Sequence, residues 1–253
     1  MSRTFNGSSD RGTYTAAPIP TFPFTVMGWV YLTSPTTEQY FFSIATTDGG
    51  DASYITLGTP GTTGRVQASV RFSGSNLPEL NASAAIATNT WTFVAGEFAG
   101  TGMSCTSRKA VIGTNVSAGT DNTGTLGFGT TTLFDSEGAS TKRTGLGARL
   151  RNTTDKFTGG NLAYFAIVNK IPSGAEYTSL QTNAPHLVFT NSGNHVEYWR
   201  LDQNDSPVND EWQTGATGDL TLTGTAHSTN NPSITVGAAD ATPTMGRCIY
   251  ILP

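Results

Sequence analysis

An all-β, two-sheet antiparallel sandwich is the fold class this sequence predicts, and three observations predict it. Short runs of alternating apolar and polar residues recur along the chain, separated by Gly, Pro, Asn and Asp. About one residue in six is threonine, a β-branched type that suits half-buried strands and disfavours helices. Only one segment carries helix signals. At 253 residues the chain has the length of a single sandwich domain, and its core is large enough to stand without disulfides.

The strands follow in order. Phe24 to Thr33 (FTVMGWVYLT) puts Phe24, Val26, Gly28, Val30 and Leu32 on one face and Met27, Trp29 and Tyr31 on the other. Both faces are apolar, as for a central strand. Tyr40 to Ala45 and the short Tyr54 to Leu57 come next. Arg65 to Phe72 turns Val66, Ala68, Val70 and Phe72 inward and Arg65, Gln67, Ser69 and Arg71 outward. Trp91 to Phe98 sets Trp91, Phe93, Ala95 and Glu97 against Thr92, Val94, Gly96 and Phe98. Lys109 to Ile112, Thr125 to Phe128 and Gly145 to Leu150 are further strands, and Leu162, Tyr164, Ala166 and Val168 form one buried face of another. The one short helix is predicted over Ser173 to Gln181, with Ser173 as N-cap and Glu176 three residues on, a capping box.

Four blocks carry a resemblance. SRTFNGSSDRGTYT, FTVMGWVYL, NTWTFVAGEF and the long ending RTGLGARLRN to FTGGNLAYFAIVNKIPSGAEYTSL are similar, in that order, to strands of laminin-G-like domains. These belong to the concanavalin A-like lectin and glucanase group. The resemblance implies a jelly-roll sandwich and surface recognition, without naming a ligand. The family's usual opening block, a Trp-Leu-Asp strand followed by an Asp-containing loop and a Leu-Thr-Leu strand, is missing from the N-terminus. A similar block lies near the other end: Glu197 to Asp202, Asn209 to Trp212 and Gly218 to Gly224. The chain therefore reads as one circularly permuted domain over 1–253, with 183–236 supplying the opening strands and 237–253 forming a C-terminal tail or arm. Chain ends of a compact domain lie on the surface, which makes permutation inexpensive. The alternative is a truncated second domain of about seventy residues, too small for a good core.

Several functions are disfavoured. With net charge −4 and four lysines there is no basic footprint for nucleic acid and no polybasic membrane anchor. No apolar run reaches the roughly 18 residues of a membrane span. Cys105 and Cys248 are far apart and lack metal spacing, so two buried thiols are the expectation, with a single bridge as the alternative. Glycosidases of the resembled group carry alternate carboxylates on one strand face. Here the matching strand offers only Glu97, and Glu197 and Asp202 are an odd number of residues apart, which points them to opposite faces. No catalytic residue is assigned. Of the three histidines, His186, His195 and His227, none accompanies a nucleophile motif.

Two binding chemistries stand out. Calcium is the candidate cofactor, because it takes oxygen ligands from Asp, Asn and carbonyls and the resembled domains hold one at a loop rim. Asp202, Asp205 and Asp210 are its leading ligands, with Asp48 to Asp51 as a second cluster. The ordinary reading of both clusters is Asx-turns. Among the tryptophans, Trp29, Trp91 and Trp199 sit in strand patterns and read as core, while Trp212, in the polar loop NDEWQTG, is the candidate sugar platform.

The expected function is that of a non-enzymatic virion surface protein of a tailed bacteriophage, of capsid-decoration or head-fibre type, with glycan-binding ability. The motive is compositional: Thr- and Gly-rich, Lys-poor and without an apolar leader, as suits assembly in a host cytoplasm. Its expected partners are capsid or other virion proteins, further copies of itself, and surface glycans. An extracellular carbohydrate-binding or adhesion module is the alternative, and a glycoside hydrolase comes third.

Overall fold

The structure is a computed structural model describing residues 2–15, 21–46, 53–72, 75–76, 80–113, 122–127, 142–150, 154–202, 207–208, 210–212 and 218–236. Two eight-stranded antiparallel sheets face each other. The strands are β1 (Ser2–Asn6), β2 (Arg11–Tyr14), β3 (Phe22–Leu32), β4 (Glu38–Thr46), β5 (Tyr54–Pro60), β6 (Arg65–Phe72), β7 (Ser75–Asn76), β8 (Leu80–Ala85), β9 (Trp91–Gly102), β10 (Ser104–Ile112), β11 (Asn122–Gly127), β12 (Lys142–Leu146), β13 (Arg149–Leu150), β14 (Thr154–Asp155), β15 (Gly159–Val168), β16 (His195–Trp199), β17 (Thr221–Thr223) and β18 (Ala226–Ser228). The first sheet runs β11-β10-β9-β3-β15-β1-β18, with β16 also on β15. The second runs β17-β2-β12-β4-β5-β6-β7, with β8 also on β6. This is the jelly-roll sandwich that the strand pattern predicts.

The core lies between the sheets. Phe24, Val26, Val30 and Leu32 of β3 meet Phe42, Ile44, Ile55, Leu57 and Val66 of the second sheet there. Phe24 and Phe98 stack with ring centroids 4.9 Å apart. Gly28 faces the same way because Phe165 occupies its side-chain space: a Cβ there would stand 2.5 Å from the ring.

The other face of the first sheet carries a second apolar cluster. Met27, Trp29, Phe93, Ala95 and Val111 are covered by Tyr177, Leu180, Ala184 and Phe189. Here two short helices lie, α1 (Gly174–Leu180) and α2 (Pro185–Val188). The capping box of α1 forms as expected: Glu176 N donates to Ser173 Oγ and Ser173 N donates to Glu176 Oε2. Tyr177 Oη donates to Glu97 Oε1 at 2.7 Å, so the single carboxylate on β9 anchors the helix. The doubly apolar pattern of β3 is thus explained by one face against a sheet and one against helices.

Four sequence expectations need correction. Among the described residues there are two α-helices, not one. α2 starts on Pro185 at its first turn, and four residues are too few to show helical periodicity. Leu162 does not share a face with Ala166 and Val168. Tyr164, at φ 53°, sits in an irregularity of the β15 pairing that shifts the alternation, so Leu162 joins the inter-sheet core while Tyr164, Ala166 and Val168 join the second cluster. Gln67 and Ser69 are buried rather than solvated. Trp91 is only half-buried: it leans on Tyr31 and its Nε1 donates to Asn230 Oδ1.

The late block contributes to both sheets: β16 joins the first on β15, and β17 joins the second on β2. Arg3 to Asn6 pair with Gly159 to Leu162 of β15, and His195 to Trp199 pair with Phe165 to Val168 of the same strand. β1 and β16 thus lie end to end along one edge of β15. Trp199 is fully buried, and its Nε1 donates to Gly218 O at 2.8 Å. Cys105 is buried and outside any disulfide, and burial pushes its thiol up to about 12. Cys248 and the tail 237–253 lie outside the described residues. Among the described residues no helix is long and apolar enough to cross a membrane.

Candidate functional site

A cavity of about 300 Å³ opens where α2, β16 and the loop around Trp212 meet. Its lining is His186 from α2, Phe189 and Thr190 just after it, His195 and Tyr198 from β16, Arg200 just beyond, and Glu211 and Trp212 from the loop. The loop is docked on β16 through the main chain of Tyr198. Tyr198 N donates to Asp210 Oδ1 at 2.8 Å, and Tyr198 O accepts from Glu211 N at 2.9 Å. Asp210 Oδ1 also accepts Trp212 N at 3.0 Å. One carboxylate oxygen therefore ties the strand and the loop together.

The cavity wall is aromatic. Trp212 stacks on His195 with centroids 4.1 Å apart and planes 6° from parallel, and Tyr198 leans on Trp212 at 5.3 Å. His195 Nε2 lies 2.6 Å from Phe189 O. A carbonyl only accepts, so His195 Nε2 carries a hydrogen and donates it. Tyr198 Oη and His186 Nδ1 are 3.1 Å apart. Arg200 is fixed by Asp202, Nη2 to Oδ2 at 2.6 Å. The wall thus combines apolar ring surface with donors and acceptors of both kinds, the composition of a polar small-ligand site.

Beneath the loop lies a second feature. Glu197 and Asp210, each 3% exposed, turn their carboxyl groups toward the same glycine. Glu197 Oε2 and Asp210 Oδ2 have no hydrogen-bond partner among the described residues, and a side chain at Gly218 (φ +86°) would collide with both. A second buried carboxyl group nearby disfavours a charge on Glu197. Burial first, then the nearby Asp210 and the charge of Asp219, hold the Glu197 carboxyl well above the ordinary carboxylate range.

The sequence candidates fall as follows. Trp212 is in the cavity but half-buried, with one face taken by His195. Asp202 faces Arg200, and Asp210 faces Glu197 and two backbone amides. Asp205 and Asp48 to Asp51 lie outside the described residues. Among the described residues no three His, Cys, Asp or Glu side chains are arranged to hold a metal. His195, at the first position of β16, lines the cavity. The convergence of Glu197 and Asp210 also escapes a search for carboxylates on one strand, because it bridges a strand and a loop.

No family model matches this sequence, and no curated protein is similar to it. Solved structures do match in shape. A Bacteroides ovatus protein proposed to bind carbohydrate aligns with TM-score 0.52 and 12% identity, over 89% of this chain and 59% of that one. The CBM40 module of a Ruminococcus gnavus sialidase, solved bound to α2,3 sialyllactose, aligns with TM-score 0.50 and 16% identity, over 72% and 98%. The LG1-3 region of the laminin α2 chain aligns with TM-score 0.47 and 14% identity, over 66% and 30%. The fold is the concanavalin A-like jelly roll. At these identities the likeness concerns the fold alone.

Proposed function

We propose that the protein binds glycans in the Trp212 cavity and does not hydrolyse them. The observation that carries this reading is the wall itself: a stacked Trp212–His195 pair beside Tyr198, with Arg200, Glu211 and His186 around it. Sugars present C–H faces to aromatic rings and hydroxyls to mixed donors and acceptors, and this cavity offers both. Against catalysis, a retaining glycosidase needs two carboxyls about 5 Å apart on either side of an accessible bond. The Glu197 and Asp210 carboxyls here converge under Gly218 and are not in the cavity lining. The test is a glycan array followed by titration of hits against Trp212→Ala, with reducing-sugar release measured in parallel. Binding lost in the variant with no sugar released supports the reading. Release of sugar that disappears in Glu197→Gln overturns the non-enzymatic part.

We further propose that this binding is deployed on the surface of a tailed-phage virion, as a capsid-decoration or head-fibre subunit assembled in the host cytoplasm. The support is compositional: many Thr and Gly, four Lys and a low charge density. Its partners would be coat proteins and further copies of the chain, since a coat repeats about local symmetry axes. Mass spectrometry of purified virions tests it. Absence from virions, together with a monomeric protein that ignores assembled capsids, makes a free extracellular carbohydrate-binding module the better account.

A further inference from the structure

We infer that the Trp212 cavity selects a neutral pyranose with adjacent hydroxyl groups and rejects carboxylated sugars such as sialic or uronic acids. This rests on reading the cavity as a glycan site and adds the class of sugar.

The argument begins with charge. The cavity has one arginine, and its guanidinium is already neutralised: Arg200 Nη2 meets Asp202 Oδ2 at 2.6 Å. Glu211, exposed at the rim, adds a negative charge. His195 Nε2 is committed to Phe189 O, and His186 Nδ1 meets the Tyr198 hydroxyl. Arg200, Asp202 and Glu211 together carry one net negative charge. An incoming carboxylate would be desolvated beside Glu211 with its only cation already paired. A neutral sugar meets no such cost.

Hydrogen-bond capacity points the same way. A guanidinium has five N–H donors and no acceptor, and Asp202 engages one nitrogen of three. A carboxylate such as Glu211 is acceptor-only, with about four lone-pair sites, so a bond elsewhere leaves capacity. Arg200 and Glu211 line the same cavity. A donor-only group beside an acceptor-only group matches two neighbouring hydroxyls, one donating to Glu211 while the next accepts from Arg200. The Trp212–His195 stack supplies the surface for the ring's C–H groups. At about 300 Å³ the cavity lies at the small end of ligand sites. It suits a terminal residue or a disaccharide, not the middle of a long chain.

The test titrates the full chain at pH 7.5 with methyl glycosides of glucose, galactose and mannose, with methyl glucuronide, and with 3′-sialyllactose. At least one neutral glycoside should bind, and at least tenfold more tightly than either acidic sugar. Trp212→Phe, which keeps the ring packing, should retain part of that affinity, and Trp212→Ala should lose it. Glu211→Gln, at an exposed position that does not threaten folding, should weaken the neutral sugar severalfold and narrow its lead over the acidic ones. If an acidic sugar binds as well as or better than the neutral ones, in a manner sensitive to Trp212→Ala, the charge inference is wrong while the glycan reading stands. If none of the probes binds the folded chain, or binding ignores Trp212→Ala, the glycan reading falls and the inference falls with it.

Discussion

The Trp212 indole lies flat on the His195 imidazole, 6° from parallel, and the Asp210 carboxylate holds the backbone amide of that same tryptophan. A side chain from a polar loop is thereby placed against a strand residue with little freedom. A stacked aromatic pair contributes about 0.5–1.5 kcal/mol beyond its buried area. His195→Ala should therefore lower stability by about that much and weaken glycan binding along with it. Thermal unfolding and sugar titration of the same sample check both; full affinity without the imidazole would show that Trp212 is positioned by the loop alone.

The Glu197 carboxyl predicts a pH dependence. The Glu197 carboxyl lies above its unfolded value, so the folded chain binds a proton that the unfolded chain has released. Stability is then fullest below the ordinary glutamate range and falls as pH rises above it. Glu197→Gln keeps a neutral group of similar shape and removes the titration. Its melting temperature should fall less steeply between pH 5 and pH 9 than that of the parent. Parallel curves would mean that burial does not raise the Glu197 carboxyl.

Tyr177 and Glu97 give a test of how α1 is held. Removing the hydroxyl that meets Glu97 Oε1 should cost about 1.5–3 kcal/mol, because the lost partner serves a charged group. Urea unfolding of Tyr177→Phe measures it, and an unchanged midpoint would mean that apolar packing alone docks the helix.

Gly28→Ala tests the packing of the central strands. Its Cβ would stand 2.5 Å from the Phe165 ring, inside a core that has no room to yield. Destabilisation of about 1–3 kcal/mol is expected from overpacking. A neutral effect would mean that β3 and β15 are less closely packed than described.

A chain ending at Asn183 tests the permutation. It lacks β16, Trp199 and the loop bearing Asp210, and leaves the Phe165–Val168 edge of β15 unpaired. It should not unfold cooperatively. Cooperative unfolding at undiminished stability would make the late block dispensable and end the permutation idea.

What the sequence discloses depends on how regular each element is. β3 is long and uninterrupted, so the split of Phe24, Val26 and Val30 from Met27 and Trp29 is readable by alternation alone. β15 is not, because the irregularity at Tyr164 reverses the alternation midway and nothing in the residue types announces a left-handed tyrosine. The capping box of Ser173 and Glu176 is a local signal and is legible. The second helix, four residues long, has no period to detect. At the site, Trp212 stands out as an aromatic in a polar loop. His195 and Tyr198 do not, since a strand pattern says nothing about which loop will lie over it. The convergence of Glu197 and Asp210 depends on how the loop folds back, which spacing rules for one strand do not address.

The end-to-end arrangement of β1 and β16 on β15 has a consequence for synthesis. Ser2 pairs with Ser228, so the first strand waits for a partner made more than two hundred residues later. At ordinary translation speeds that delay is roughly 10–45 s. Until then one side of β1 has no neighbour, and such distant pairings are slow to form and prone to aggregate. The nascent chain must therefore be kept from premature association, which makes its yield in a producing cell sensitive to chaperone supply and growth temperature.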